Sequence, residues 1–316
     1  MDYTGKSLFF MGDSITANGS FIHLLRLHLK STGKKIFVHN KGIPGGTVPM
    51  GCAVLEEEID GFVPNCVVIS YGANDIGYWK YSTDTLDTSE LYDFMKEKSA
   101  DYMYNLNILV NRLKKLGITP ILCSPFCMSK KPFTKAEIET IVDLKEKEEI
   151  DYKFYNKEVF DTLNKTLKSL GEKIQAYAKE NIIEFWDLFT DTYNEVDETC
   201  FSSDGIHYQP KGDEIIAKAL LKYITGESYT TQAPSNELEK IAHRELEERS
   251  YYFVKYNILC WHKGVSDKEL IEKLDAWLEV NGNKYGLTKE RARGFANYIE
   301  NHHEKQIDLI EKIINI

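Results

Sequence analysis

Long hydrophobic runs are missing from this 316-residue sequence. Its apolar stretches, such as 8–11 and 66–69, are strand-sized, far short of the roughly 20 residues that a membrane-spanning helix requires. Basic charge is in deficit as well: 39 Lys and Arg against 49 Asp and Glu leave a formal net charge of −10. That balance argues against non-specific binding to nucleic acid or to an anionic membrane. The six cysteines, Cys52, Cys66, Cys123, Cys127, Cys200 and Cys260, form no CxxC pair, and reduced thiols of a cytoplasmic protein are expected. Met1-Asp2-Tyr3-Thr4 opens on an acid rather than a basic region, so no secretory signal is read. The loop Gly42-Ile43-Pro44-Gly45-Gly46 lacks both the GxGxxG spacing of a dinucleotide site and the Gly-Lys-Ser/Thr of a phosphate loop. His302-His303 points to two different helix faces, with no carboxylate or cysteine cluster beside it, so it reads as a solvated face rather than a metal site. Neither cofactor nor metal is implied.

What is present is ordinary for a globular chain, 42% apolar and 28% charged, and its order is informative. Leu8-Phe9-Phe10-Met11 reads as a buried parallel strand, broken by Gly12-Asp13-Ser14 and followed by an apolar-periodic segment. Residues 21–29 read as a largely buried helix, 36–38 as a strand and 50–59 as a helix. Strand 66–70, helix 89–116, strand 119–123, helix 156–179, strand 182–186 and helix 211–223 follow, the last ending at Gly226. Strands separated by helix-length segments imply βαβ units and a parallel sheet covered on both faces.

Two segments break the alternation. Residues 76–87 carry Tyr78, Trp79 and Tyr81 just beyond a strand's carboxyl end, and 126–154 is a charged, helix-prone insertion. Both are candidates for the rim or lid of a pocket. The three aromatics suit stacking on sugar rings or lining an acyl site, and they suit packing of the segment onto the domain equally well. Residues 227–234 are polar and end in proline, as a linker would. Beyond them the pattern is all-helical, with apolar stripes such as Leu270, Ile271, Leu274, Trp277 and Leu278. The expected organisation is a domain over 1–226, a linker over 227–235 and a helical extension over 236–316. The stripes need a partner surface: a core of their own, the main domain, or another subunit of a homo-oligomer.

Chemistry-bearing residues collect at strand ends: Ser14, the Gly45 loop, Asn74, and Asp204 with His207. In open α/β sheets that edge is where ligands bind. A serine hydroxyl is a weak nucleophile until a base lies within hydrogen-bond reach. Imidazole titrates near working pH, so His207 suits that role, and Asp204 three residues earlier suits its second ring nitrogen. A tetrahedral oxyanion needs preorganised donors, and the backbone N–H groups of Ser14 and Gly45 and the amide of Asn74 are available.

On these residues the chain resembles the SGNH hydrolases, the GDSL-type esterases and lipases. Four blocks occur in the family's order: Gly12-Asp13-Ser14-Ile15, the glycine of Pro44-Gly45-Gly46-Thr47, Gly72-Ala73-Asn74-Asp75 and Asp204-Gly205-Ile206-His207. Each block alone is weak; their order and spelling together are specific, and they span roughly residues 5–225. The resemblance implies a flavodoxin-like three-layer α/β/α sandwich, to which the C-terminal helical extension is an addition. It implies Ser14 as nucleophile, His207 as base, Asp204 as its partner, and Ser14, Gly45 and Asn74 as oxyanion hole. Ile15 replaces the usual leucine, Gly46 stands where an aspartate is frequent, and Gly42 competes with Gly45 for the oxyanion role.

Plainer readings accompany these. Gly-Asp-Ser is also an ordinary helix cap, Asp75 reads as a structural turn residue rather than a catalytic one, and Asp13 as a residue that braces loops rather than reacts. His23, His28 and His39 fall in sheet-domain elements and read as structural. The resulting expectation is a metal-independent esterase acting on a small-molecule or carbohydrate ester, with a short acyl group such as acetyl. A thioesterase or lipase of the same fold, and a non-catalytic binding or assembly protein using the tail, are the alternatives.

Overall fold

A computed structural model of the chain describes residues 2–78, 88–131, 157–202 and 204–229. Among them five strands form one sheet: β1 (Ser7–Gly12), β2 (Phe37–Asn40), β3 (Cys66–Ser70), β4 (Thr119–Cys123) and β5 (Glu184–Trp186). Their order is β2-β1-β3-β4-β5 and every pairing is parallel. Among the described residues seven α-helices surround the sheet: α1 (Ser14–Asn18), α2 (Phe21–Ser31), α3 (Val48–Ile59), α4 (Thr88–Lys115), α5 (Lys157–Glu180), α6 (Leu188–Tyr193) and α7 (Pro210–Thr225). This is the flavodoxin-like α/β arrangement that the resemblance implies.

The side-chain alternation of β1 explains the layering. Leu8 and Phe10 pack in one cluster with Phe21, Leu25 and Leu29 of α2 and Ile216, Leu220 and Ile224 of α7. Phe9 and Met11 point the other way, into a cluster with Leu55 of α3, Leu109 of α4 and Leu167 of α5. Because both faces are covered, the strand is apolar throughout rather than alternating, which is why it stood out in the sequence. Each large side chain buried this way contributes about 1.5–3 kcal/mol.

The path from β1 goes to β2 on one side, while β3 returns to β1's other side. Gly12 and Ser70 are aligned across the β1–β3 pair. The carboxyl ends of these two neighbours form the topological switch point, and a crevice opens there in such sheets.

Two local expectations are corrected, and one element is added. β5 starts at Glu184, not at Ile182. Ile183 N–H bonds the carbonyl of Ala178, and Ile182 N–H bonds that of Lys179, closing α5 with a left-handed residue at Ile182, φ 54°. Two adjacent isoleucines read as strand, yet here they serve the helix terminus. The start of the supposed insertion, Phe126, Cys127, Met128 and Ser129, is buried core, not lid. The short α6 follows β5 without having been read, because its six residues are too few to show a period.

The start of the expected linker lies against α2 and the turn after it: the Tyr229 ring stacks on His28 of α2 at 5.6 Å, and Glu227 pairs with Lys34 beyond the helix at 2.6 Å. The lid expected over 132–154, the aromatics Trp79 and Tyr81, and the helical extension over 236–316 lie outside the described residues. Cys52, Cys66, Cys123, Cys127 and Cys200 are free thiols. Among the described residues no helix is long and apolar enough to cross a membrane.

Candidate active site

Ser14 is the first residue of α1, directly after β1. Asp13 is the cap of that helix: its carboxylate accepts the Ile15 N–H at 3.0 Å. The serine is thereby relieved of capping, and its partly exposed hydroxyl is left for another partner. That partner is His207, whose Nε2 lies 2.8 Å from Ser14 Oγ although 193 residues separate the two in the chain.

His207 sits in the loop between β5 and α7, held at several points. Phe201 and Tyr208 pair as an isolated antiparallel bridge, Ser202 N–H bonds the carbonyl of His207 at 2.7 Å, and the Tyr208 hydroxyl donates to the carbonyl of Cys127 at 2.7 Å. Gly205 turns the loop at φ +69°, where a Cβ would stand 2.5 Å from the Phe160 ring, so only glycine fits.

Asp204 is the second anchor of the histidine. Its Oδ2 lies 2.5 Å from His207 Nδ1, and its Oδ1 accepts from Ser202 Oγ at 2.5 Å and from the N–H groups of Ile206 and His207 at 2.8 and 3.0 Å. Ser202 escaped the sequence reading; a hydroxyl two residues before an aspartate is its only local signal.

The electrostatics follow. For Asp204, burial pushes the pKa up, but hydrogen bonds from His207, Ser202 and backbone, with the imidazole charge, overcome it and hold the carboxyl down at about 2. For His207, burial alone would lower the pKa, and the Asp204 hydrogen bond and charge, helped by Asp13, raise it above 6.5. Asp13 is itself pushed up to about 6 by burial.

The glycine loop meets this group from the β2 side. Gly42 N–H is engaged by Asn40 Oδ1 at 2.9 Å, and Gly46 N–H by the carbonyl of Ile43 at 2.7 Å. Gly45, at φ +71°, has no acceptor for its N–H among the described residues. Asn74, buried at the carboxyl end of β3, donates one amide proton to the carbonyl of Gly46 at 3.1 Å, leaving its second for a ligand. Ser14 N–H, in the first turn of α1, has no intrahelical acceptor.

Ser14, His207 and Asp204 thus form one hydrogen-bonded line, and Asn74 is tied to the loop that carries Gly45. Tyr78 packs, half-buried, against the cluster that holds Phe9 and Met11. His23 and His28 are buried on α2 and His39 on β2. Burial, then the nearby Arg26 and Lys41 charges, hold His39 well below 6.5.

A serine aligned with a histidine and a carboxylate at the switch point of a parallel α/β sheet is a constellation suited to acyl transfer. Comparison with known proteins gives the family: the GDSL-like lipase/acylhydrolase family model matches residues 8–220, and the chain belongs to that family. It is a hydrolase acting on ester bonds. An acetylxylan esterase of Geobacillus stearothermophilus is 29% identical over 252 residues, covering 70% of this chain and 94% of the relative. The solved structure of Axe2-W215I, an acetyl xylan esterase from the same organism, superposes with a TM-score of 0.50 at 23% identity, covering 73% of this chain and 99% of that one. A structure of BT4096, a gut microbial diltiazem-metabolizing enzyme, superposes with a TM-score of 0.68 at 16% identity, covering 100% of this chain and 96% of that one.

Proposed function

We propose that this chain is a serine esterase that removes a short acyl group, acetyl, from a carbohydrate ester through a Ser14 acyl-enzyme. The observation that carries the reading is the 2.8 Å approach of His207 Nε2 to Ser14 Oγ, with Asp204 on the other ring nitrogen.

In this reading His207 takes the hydroxyl proton as Ser14 Oγ attacks the ester carbonyl. Asp204 stays ionised, holds the tautomer and stabilises the imidazolium. The N–H groups of Ser14 and Gly45 and the Asn74 amide receive the developing oxyanion; losing one such donor costs roughly 10²–10³ in turnover. The imidazolium returns its proton to the departing alcohol, and the acyl-enzyme forms. Water, deprotonated by His207, then attacks the acyl carbon and releases the acid and free Ser14.

The choice of an acetylated carbohydrate is supported by the acetylxylan esterase relative, which nearly its whole length aligns. The chemistry is assigned to residues 1–226, in keeping with the family match over 8–220, and the linker at 227–235 and extension at 236–316 stand outside it.

The test is labelling with a fluorophosphonate probe, followed by turnover of acetylated xylo-oligosaccharides beside p-nitrophenyl esters of increasing acyl length. Wild type is expected to label and to prefer acetyl esters, while Ser14→Ala and His207→Ala do neither. Undiminished turnover by Ser14→Ala would refute the serine nucleophile, and a preference for long acyl chains would refute the acetyl assignment.

A further inference from the structure

Asp75 follows Asn74 in the same turn, and the reaction above makes no use of it. Its Oδ1 accepts the N–H of Val48, the first residue of α3, at 2.9 Å across 27 positions of chain. Its Oδ2 is buried without a hydrogen-bond partner among the described residues. Burial, with Asp13 nearby, outweighs the Val48 hydrogen bond and pushes this carboxyl up to about 7. A carboxyl with an orphaned oxygen is costly to keep inside a protein. Thr47 is the cap of α3, accepting from the Met50 N–H, and Asp75 takes a different N–H of that first turn from outside the helix.

What Asp75 does hold is the glycine loop. Asn74 Nδ2 bonds the carbonyl of Gly46 at 3.1 Å, and Asp75 Oδ1 bonds the N–H of Val48 at 2.9 Å. Two consecutive side chains of one turn thus grip the loop on either side of Thr47. Gly45, next along, sits at φ +71° with its N–H unengaged among the described residues. On its other side the loop is held by Ile43 N–H on the carbonyl of Gly12 at 2.9 Å, Gly42 N–H on Asn40 Oδ1 at 2.9 Å and Gly46 N–H on the carbonyl of Ile43 at 2.7 Å, so Gly45 is placed between those bonds and the grip of Asn74 and Asp75.

We propose that Asp75 is a positioning residue for acyl transfer, clamping the loop of Gly45 through the Val48 N–H so that the Gly45 N–H and the Asn74 amide converge on one oxyanion. The proposal rests on the esterase reading for its catalytic consequence, while the clamp stands on the loop alone. Asp75 touches no reacting atom. Its effect belongs to the transition state, where the oxyanion forms, and not to ground-state binding.

The test compares Asp75→Leu, close in shape but without an acceptor, with Asp75→Asn, which keeps one. Kinetics on p-nitrophenyl acetate are read with amide hydrogen exchange over residues 45–48. Asp75→Leu is expected to lose about tenfold or more in kcat with KM within about twofold, and to exchange faster in the loop. Asp75→Asn is expected to stay within about threefold of wild type and to keep loop protection. Unchanged kcat and exchange in Asp75→Leu overturn the proposal, as does an Asp75→Asn loss equal to that of Asp75→Leu. If Asp75→Leu does not fold, Val48→Pro removes the donor instead: proline suits a first helical position, and Thr47 already has the extended backbone that precedes it, φ −129° and ψ 165°. The same loss is expected from it, and wild-type kcat and exchange in Val48→Pro overturn the clamp. Undiminished turnover by Ser14→Ala refutes the esterase reading separately, and the exchange data then decide the clamp alone.

Discussion

Asp204 and His207 are three residues apart, and the carboxylate holds the histidine twice: Oδ2 at 2.5 Å from the ring Nδ1, and Oδ1 on the backbone N–H at 3.0 Å. One side chain therefore sets the ring, the loop backbone and the charge at the imidazole together.

That relationship predicts a pH profile. In the proposed reaction turnover needs neutral His207, whose pKa is raised above 6.5 in the fold, so kcat/KM should climb with pH through a midpoint above 6.5. Asp204→Asn removes the hydrogen bond to a charged partner and the charge, leaving burial to dominate. The midpoint should move to lower pH and kcat should fall by about 10⁴. The stability signs follow from the same shifts. The raised histidine contributes stability that is complete below its unfolded value and fades as pH rises through the folded one. The carboxyl, lowered to about 2, contributes stability present above 3.8 and lost as pH falls through about 2. The Tm gap between wild type and Asp204→Asn should therefore be widest between about pH 4 and 6.5, which thermal unfolding across pH measures.

Gly205→Ala should destabilise by about 2–4 kcal/mol and depress turnover, because the loop turns at φ +69° and the new Cβ would meet the Phe160 ring at 2.5 Å. Gly117→Ala isolates the conformational part: its φ is +73° with open space around the Cβ position, so about 1–2 kcal/mol is expected and activity is spared. Urea denaturation of both variants gives the comparison. Equal losses would show that the Phe160 contact costs nothing.

At the end of α5 the opposite substitution should help. Ile182 is 96% exposed and holds φ 54°, so its side chain gains little burial in a left-handed position. Ile182→Gly should stabilise by about 0.5–1 kcal/mol, net of glycine's greater unfolded-state freedom, raising Tm by about 1–4 °C. Calorimetry decides it, and a lower Tm would contradict the strain.

Much of the fold was legible because burial on both faces writes itself into a strand. Cys66–Ser70 and Thr119–Cys123 stand in the structure at the bounds read from their apolar runs. Misreading arose where one pattern serves two purposes. Ile182 and Ile183 look like strand, yet hydrogen bonds to Lys179 and Ala178 make them a helix terminus, and local composition cannot say which carbonyls will be near. The candidate site was legible as residue types at strand ends, since the proposed acyl-transfer chemistry demands a hydroxyl, an imidazole, a carboxylate and N–H donors. Which glycine offers its N–H was not, because that depends on where each amide points: Gly42 turns to Asn40, while Gly45 keeps its N–H free of acceptors among the described residues.

The sequence by itself determined the alternation of strands and helices, the apolar faces of β1 and the inventory of reactive groups, because all are properties of single segments. The tertiary structure alone decided that Ser14 and His207, 193 residues apart, meet at 2.8 Å, and that Asp75 reaches Val48. The physical reason is packing across the sheet: α7, which follows His207 in the chain, packs on the same face as α2, with Ser20 N–H bonded to Asp213 Oδ2 at 3.1 Å, while the strand order β2-β1-β3-β4-β5 sets the carboxyl ends of β1 and β3 side by side.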